Sequence, residues 1–263
     1  MSLRTNIHIW GMAWLLCGPQ ALHAAPPDIS GIWQALSSAY ENIEPHAAHG
    51  GASDDADAFQ ASRGGLGVVE GGAIPYTPAG RATQLTNFDQ REDFDPARNC
   101  YLPGVPRANY MPYPLQIVQT SDHVFIAYEF AQASRTIYLD QPEFEAPVDS
   151  WMGHSLGRWR EDTLVVDVTD QVADTWLDRA GNHHSGALRV EERYRLEGPD
   201  HLRYTAILTD AATYTRPWTL SVLLYRVKEP RAQLLDFKCV EFVEERMYGH
   251  LSKQADAADK ETN

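Results

Sequence analysis

The clearest pattern along the chain begins at residue 115, where short runs of alternating apolar and polar residues recur between turn-forming clusters. Within 123–130, Val124, Ile126, Tyr128 and Phe130 alternate with Phe125, Ala127 and Glu129, the period of two that sends successive side chains to opposite faces of a sheet. Comparable runs at 115–120, 135–140, 156–160, 163–170, 187–196, 201–209, 218–227 and 234–243 predict strands, and a further one is expected at 29–33. Glu161-Asp162 reads as a tight hairpin, and Gly198-Pro199-Asp200 as a turn by residue type. About ten strands joined this way leave unpaired edges unless the sheet closes on itself, so the pattern predicts an all-β fold, an antiparallel barrel of about ten strands, with a two-sheet sandwich as the competitor.

Upstream of 115 the alternation disappears. Residues 37–72 are dominated by Ala, Gly, Asp and His without a sustained period, which predicts a long irregular loop. Thr77-Pro78 supplies an N-cap and a proline for the first helical position, so a short helix is expected from 78 to about 91. Five prolines in 95–114 predict an ordered but non-repetitive crossing. At the start, Arg4 precedes an apolar run ending near Leu16, with Ala24 and Ala25 beyond it, the arrangement of a secretory signal peptide. The run is shorter than the ~18 residues a membrane span requires. The expected organisation is therefore a signal peptide at 1–25, an N-terminal strand, loop and helix at 26–114 packed on the barrel, barrel strands at 115–245, and a flexible polar tail at 246–263. A periplasmic or secreted protein without stable membrane insertion follows. In that oxidising compartment Cys100 and Cys239 are expected to form a disulfide.

Composition narrows the partners. Acidic side chains number 36 against 22 basic ones, a net charge of −14, which disfavours nucleic acid and anionic lipid. The chain contains no Gly-x-Gly-x-x-Gly, Walker or His-Glu-x-x-His pattern, so no cofactor is expected.

Chemistry is expected at strand ends. Gly153-His154-Ser155 and the group Asp178, His183, His184, Ser185 precede strands; an imidazole suits proton transfer at neutral pH, and a neighbouring carboxylate can fix its tautomer. The same imidazoles with Asp178 are the metal alternative, although no metal site is the expectation adopted. Glu129 and Arg135 flank one turn, with Tyr138 on the face opposite Arg135 in a regular strand. Along 189–196 the row Arg189, Glu191, Arg193, Arg195 predicts a solvated face, which turns Glu192 inward as a proton donor or as half of a buried ion pair. Tyr214, Arg216 and Trp218 alternate at a strand start, where the guanidinium would take a carboxylate and the rings an aromatic body. Tyr113, Trp151 and Trp176 add aromatic surface near the same rim. His154, His184, Glu192 and Arg216 are thus the candidate catalytic residues, acting on a small aromatic carboxylate.

Several strings carry a family resemblance. They are Gly31-Ile32-Trp33, the stretch from Cys100 to Arg107 (CYLPGVPR), Tyr113-Pro114, Gly153-His154-Ser155, Gly157-Arg158-Trp159, Thr175 to Asp178 (TWLD), His184-Ser185 and Tyr214 to Trp218 (YTRPW). Together the chain resembles a bacterial family of exported, mostly uncharacterised proteins with lipocalin-like β-barrels. The resemblance implies cofactor-independent decarboxylation of a lignin-derived phenylcoumaran carboxylate. Phenolic acid decarboxylases, cofactor-free enzymes in similar barrels, are an architectural analogy. A non-catalytic carrier of small hydrophobic ligands is the alternative from another class, and a dehydratase or isomerase would use the same acid and base groups.

Overall fold

The computed structural model describes residues 25–44, 68–142 and 146–237. Nine strands close into a barrel in chain order: β1 (Gly31–Ala35), β2 (Leu115–Gln119), β3 (His123–Tyr128), β4 (Ser134–Leu139), β5 (His154–Arg160), β6 (Thr163–Thr169), β7 (Arg189–Leu196), β8 (His201–Thr209) and β9 (Trp218–Arg226). Closure is made by β1, which pairs with β2 through Gly31↔Ile117 and with β9 through Ala35↔Leu224. The barrel of the expected class is present with nine strands, because 234–237 is irregular and 238–243 lies outside the described residues. The segment 1–24, Cys239 and the polar tail also lie outside them.

One pairing departs from the antiparallel expectation. β4 and β5 run parallel, with Ile137 opposite Ser155 and Tyr138 opposite Leu156. The connection 140–153 returns the chain to the end of the barrel from which β4 started, as a parallel pairing requires. At this seam the missing side chain of Gly157 matters: a Cβ there would stand 2.5 Å from Ile137 Cγ2.

Thr77 caps helix α1 (Pro78–Asp89) as expected, its side chain accepting from Gly80 N at 3.0 Å, and a second short helix, α2 (Arg91–Phe94), follows. From α1, Gln84 Nε2 donates to Ala180 O at 2.7 Å and Asn87 Nδ2 to Gly181 O at 3.2 Å, which ties the helix to the 178–183 loop. Given the strand order and directions, short turns at 120–122, 161–162 and 197–200 form one end of the barrel. The long segments 95–114, 170–188 and 210–217 gather at the other.

The interior follows the alternation. Trp33, Leu115, Ile126, Ile137, Leu164, Val166, Leu202 and Leu220 are each at most 1% exposed. On β7, Arg189, Arg193 and Arg195 face solvent while Val190, Glu192 and Tyr194 are buried, as the sequence pattern requires.

Candidate functional site

Within this apolar lumen lies a fully hydrogen-bonded polar cluster. Arg135 is the first inward residue of β4, and Glu192 is the second inward residue of β7. The Arg135 fork meets the Glu192 carboxylate squarely, Nη1 to Oε2 at 2.7 Å and Nη2 to Oε1 at 2.9 Å. Arg135 Nε donates to the Tyr128 hydroxyl at 3.0 Å, and Nη2 also donates to the Tyr194 hydroxyl at 2.6 Å. Tyr204 OH donates to Glu192 Oε1 at 2.8 Å, and Ser155 Oγ sits 3.3 Å from Arg135 Nη1. Glu192 is 0% exposed and Arg135 6%.

The cluster is sealed from the long-loop end by the 3-10 turn Arg107–Tyr110, all four residues of which are buried. Asn109 reaches into the barrel: its Nδ2 donates to Glu192 Oε1 at 3.0 Å, while its Oδ1 lies 3.2 Å from the Tyr128 hydroxyl and 3.1 Å from that of Tyr194. The turn is pinned behind. Arg107 makes a two-pronged pair with Asp95 at 2.8 and 3.0 Å, Tyr110 OH donates to Leu177 O at 2.8 Å, and the Gln171 amide clasps both backbone groups of Val105.

Electrostatically the lumen holds one cation, one anion and three neutral phenols. Burial alone works against the Arg135 charge, but Glu192 and the Tyr128 and Tyr194 oxygens outweigh it, and the guanidinium is held well above its usual range. Burial pushes the Tyr128 hydroxyl up to about 12 against the pull of Arg135, and pushes Tyr194 and Tyr204 well above their ordinary value. The phenols are therefore donors at neutral pH.

A second buried cluster lies in the covering loops. Asp178 accepts four N–H groups, from Ile43 N, Ala180 N, Asn182 N and Asn182 Nδ2, at 2.6 to 3.1 Å. Burial pushes its carboxyl up to about 7, with those donors and Arg107 opposing. Every hydrogen at Asp178 is donated to it, an arrangement built for the anion, so its work is to shape the loop. His184 is similarly committed: a carbonyl can only accept, so Nδ1 donates to Ser185 O at 2.9 Å, leaving Nε2 to accept from the Thr175 hydroxyl at 2.6 Å. Burial lowers its proton affinity, and the ring is neutral.

The candidate residues thus sort into separate places. Arg135 and Glu192 meet in the lumen. Trp176, Asp178, His184, Tyr214 and Trp218 are buried at the long-loop end, where Tyr214 and Trp218 rings meet edge to face at 5.5 Å. Arg216 is not with them. It is exposed and donates to Pro217 O, because the chain turns through 210–217 and β9 begins only at Trp218. Tyr138, 46% exposed, and His154 stack at 5.9 Å on the outer wall: Ser155 points inward, so its neighbour His154 cannot. Trp151 stacks on Tyr101 at 4.9 Å, outside the lumen cluster. Tyr113 packs against Phe130 and Phe237, and Glu129 Oε2 accepts from Leu235 N at 2.8 Å, so this pair holds the chain after β9 to the wall. Among the described residues no three His, Cys, Asp or Glu side chains converge as a metal site.

Asn109, Tyr128, Tyr194 and Tyr204 complete the site and were not singled out from sequence. Tyr194 shares the inward row of Glu192 and pairs across strands with Tyr204, a signal available once the β7–β8 register is known. Asn109 comes from irregular chain and carries no such signal. No family model matches the chain, and no curated protein matches it in sequence. Among the described residues no helix is long and apolar enough to cross a membrane.

Proposed function

We propose that the lumen is the active site of a cofactor-independent lyase that decarboxylates a lignin-derived aromatic, phenolic carboxylic acid. The observation that supports it is the Arg135–Glu192 pair ringed by three neutral phenols and an amide. Removing two charges from water is costly, and an apolar pair would fill the same space without that cost. Such a cluster offers what the reaction needs: a planar cation for a carboxylate, phenol donors to orient it, a carboxyl group to move a proton, and dry walls.

In this reading the 107–110 turn lifts Asn109 away and the substrate carboxylate takes the Arg135 fork in place of Glu192. The bond to the carboxylate carbon breaks, its electron pair forms a conjugated carbon–carbon double bond, and the aryl ether bond opens. Carbon dioxide leaves, and the phenoxide oxygen takes the proton that Glu192 delivers, one its carboxylate takes from water when the substrate displaces it from the Arg135 fork. Water reprotonates Glu192, so no external electron acceptor is required.

The test is carbon dioxide release from a panel of phenolic acids by purified, chelator-treated protein, with Arg135→Lys and Glu192→Gln alongside. Turnover by the parent chain and its loss in both variants is the expected result. Binding of aromatic acids without turnover of any of them would replace the lyase with a carrier. We also propose that 1–25 directs export to the periplasm or beyond, and that Cys100 pairs there with Cys239.

A further inference from the structure

Behind the turn that seals the lumen, residues 171–177 hold it at three points. The Gln171 amide clasps Val105, Leu177 O accepts from Tyr110 OH, and between them the Thr175 side chain lies directly under Gly104. Gly104 has a positive φ of 70°, and a Cβ on it would stand 2.8 Å from Thr175 Cγ2 and 2.9 Å from Thr175 Oγ1, so the base of the turn rests on this side chain without clearance. Residues 175–177 are in turn one arm of a small hairpin, bridged at Trp176↔His183 and by Leu177 N donating to Asn182 O at 2.6 Å. The open end of that hairpin is closed by one side-chain pair, the Thr175 hydroxyl on His184 Nε2 at 2.6 Å, both residues being buried.

We propose that Thr175 and His184 form a proton-sensitive latch on the lumen: while the imidazole is neutral the 104–110 turn stays seated, and a proton on Nε2 releases it. The proposal rests on the reading of the lumen as a ligand site with that turn as its entrance. The fixed tautomer sets the chemistry. Nδ1 already donates to Ser185 O, so an added proton goes on Nε2 and points at Thr175. The hydroxyl then has to turn and accept, and its own hydrogen is left with Val172 O, 3.5 Å away. The new charge is buried against a neutral partner. Asp210 acts on it from behind Ser185, whose N–H and hydroxyl bond its two carboxylate oxygens at 2.7 and 2.9 Å, and His183 beside it opposes a second positive charge. Burial is the largest influence and holds the proton affinity of the closed ring below 6.5, the value to which a ring opened to water returns. Acid therefore favours the released turn as the pH falls through 6.5, by up to about tenfold per pH unit.

The test is hydrogen exchange of the full chain without any substrate, read by mass spectrometry between pH 5 and 8 and expressed as protection relative to the unstructured rate. From pH 7 to 5 the protection of the 104–110 amides is expected to fall about tenfold in the parent while β7 and β8 keep theirs. No such fall is expected in His184→Gln, whose amide takes no proton, and Thr175→Val should leave the turn poorly protected at every pH. If His184→Gln does not fold, His184→Asn replaces it. A fall that persists in the His184 variant, which would assign it to Asp178, equal protection of the parent at both pH values, or a parallel loss in β7 and β8 would overturn the proposal. Because exchange is read without turnover, the latch and the release of carbon dioxide stand or fall separately.

Discussion

Replacing Glu192 by Gln is the most informative single change in the lumen. Both carboxylate oxygens now accept hydrogen bonds, Oε1 from Arg135, Asn109 and Tyr204, and Oε2 from Arg135. An amide nitrogen at either position meets a donor: Arg135 Nη1 at one, the Asn109 amide and the Tyr204 hydroxyl at the other. The substitution also strands the Arg135 cation in the lumen without its counter-charge. Breaking a buried pair in this way costs about 3–5 kcal/mol. For a chain of this size each kcal/mol moves the melting midpoint by about 2–4 °C, so a fall of roughly 6–20 °C is expected. Urea denaturation at constant pH measures the free energy, and an unchanged denaturant slope shows that the native state remains compact. The double variant Arg135→Met/Glu192→Leu removes both charges and leaves Asn109 Oδ1 to Tyr128 and Tyr194, so that the hydroxyl of Tyr204 and the Asn109 Nδ2 group lose the acceptor they share, at about 1–3 kcal/mol each. Glu192→Gln both strands the cation and sets an amide nitrogen against a donor, so the double variant is expected to be no less stable than Glu192→Gln. A cost below about 1 kcal/mol for Glu192→Gln, or a double variant less stable than the single, would refute the account of the cluster.

Two further outcomes follow from the loops. His184 is held neutral below its ordinary value of 6.5, so its contribution is fully present above that pH and is lost as the pH falls through its lowered folded value. Asp178, raised from 3.8 to about 7, acts in the opposite sense, so the His184 effect is read as the difference in melting temperature between the parent and His184→Gln across pH 5 to 8, where the gap should shrink on acidification. For the proposed disulfide, Cys100→Ser should lower stability by about 4–5 kcal/mol, the chain-entropy value for so long a loop. Mass spectrometry of the unreduced parent should find neither thiol free, and two free thiols would remove the cross-link from the account.

The strands were readable because a period of two fixes which side chains share a face, whatever the tertiary context. Glu192 could be turned inward from its neighbours alone, and Arg135 and Tyr138 could be assigned to opposite faces. What the pattern lacks is where a strand begins. Tyr214, Arg216 and Trp218 would share a face in an extended chain, but Asp210 collects the N–H groups of Ala212 and Thr213 and builds a turn that frees Arg216 to solvent. Partners across the lumen were equally out of reach, since Arg135 meets Glu192 only through the closure of the barrel. Asn109 lies in proline-rich chain whose path is set by Asp95–Arg107 and the Gln171 clasp, contacts between residues far apart in sequence. His154 and His184 were attractive for their chemistry, and the backbone uses one in the loops and turns the other outward.

The seam between β4 and β5 has a consequence rooted in parity. Around a closed ring, neighbours can alternate up and down only if their number is even. Nine is odd, so at least one adjacent pair must point the same way. Adding or losing a hairpin changes the count by two and leaves that obligation in place, whereas gaining or losing a lone strand would abolish it. Here the obligation falls between Ile137 and Ser155, where Gly157 lets the two backbones approach, and any relative that keeps nine staves must find room for such a junction somewhere on its circumference.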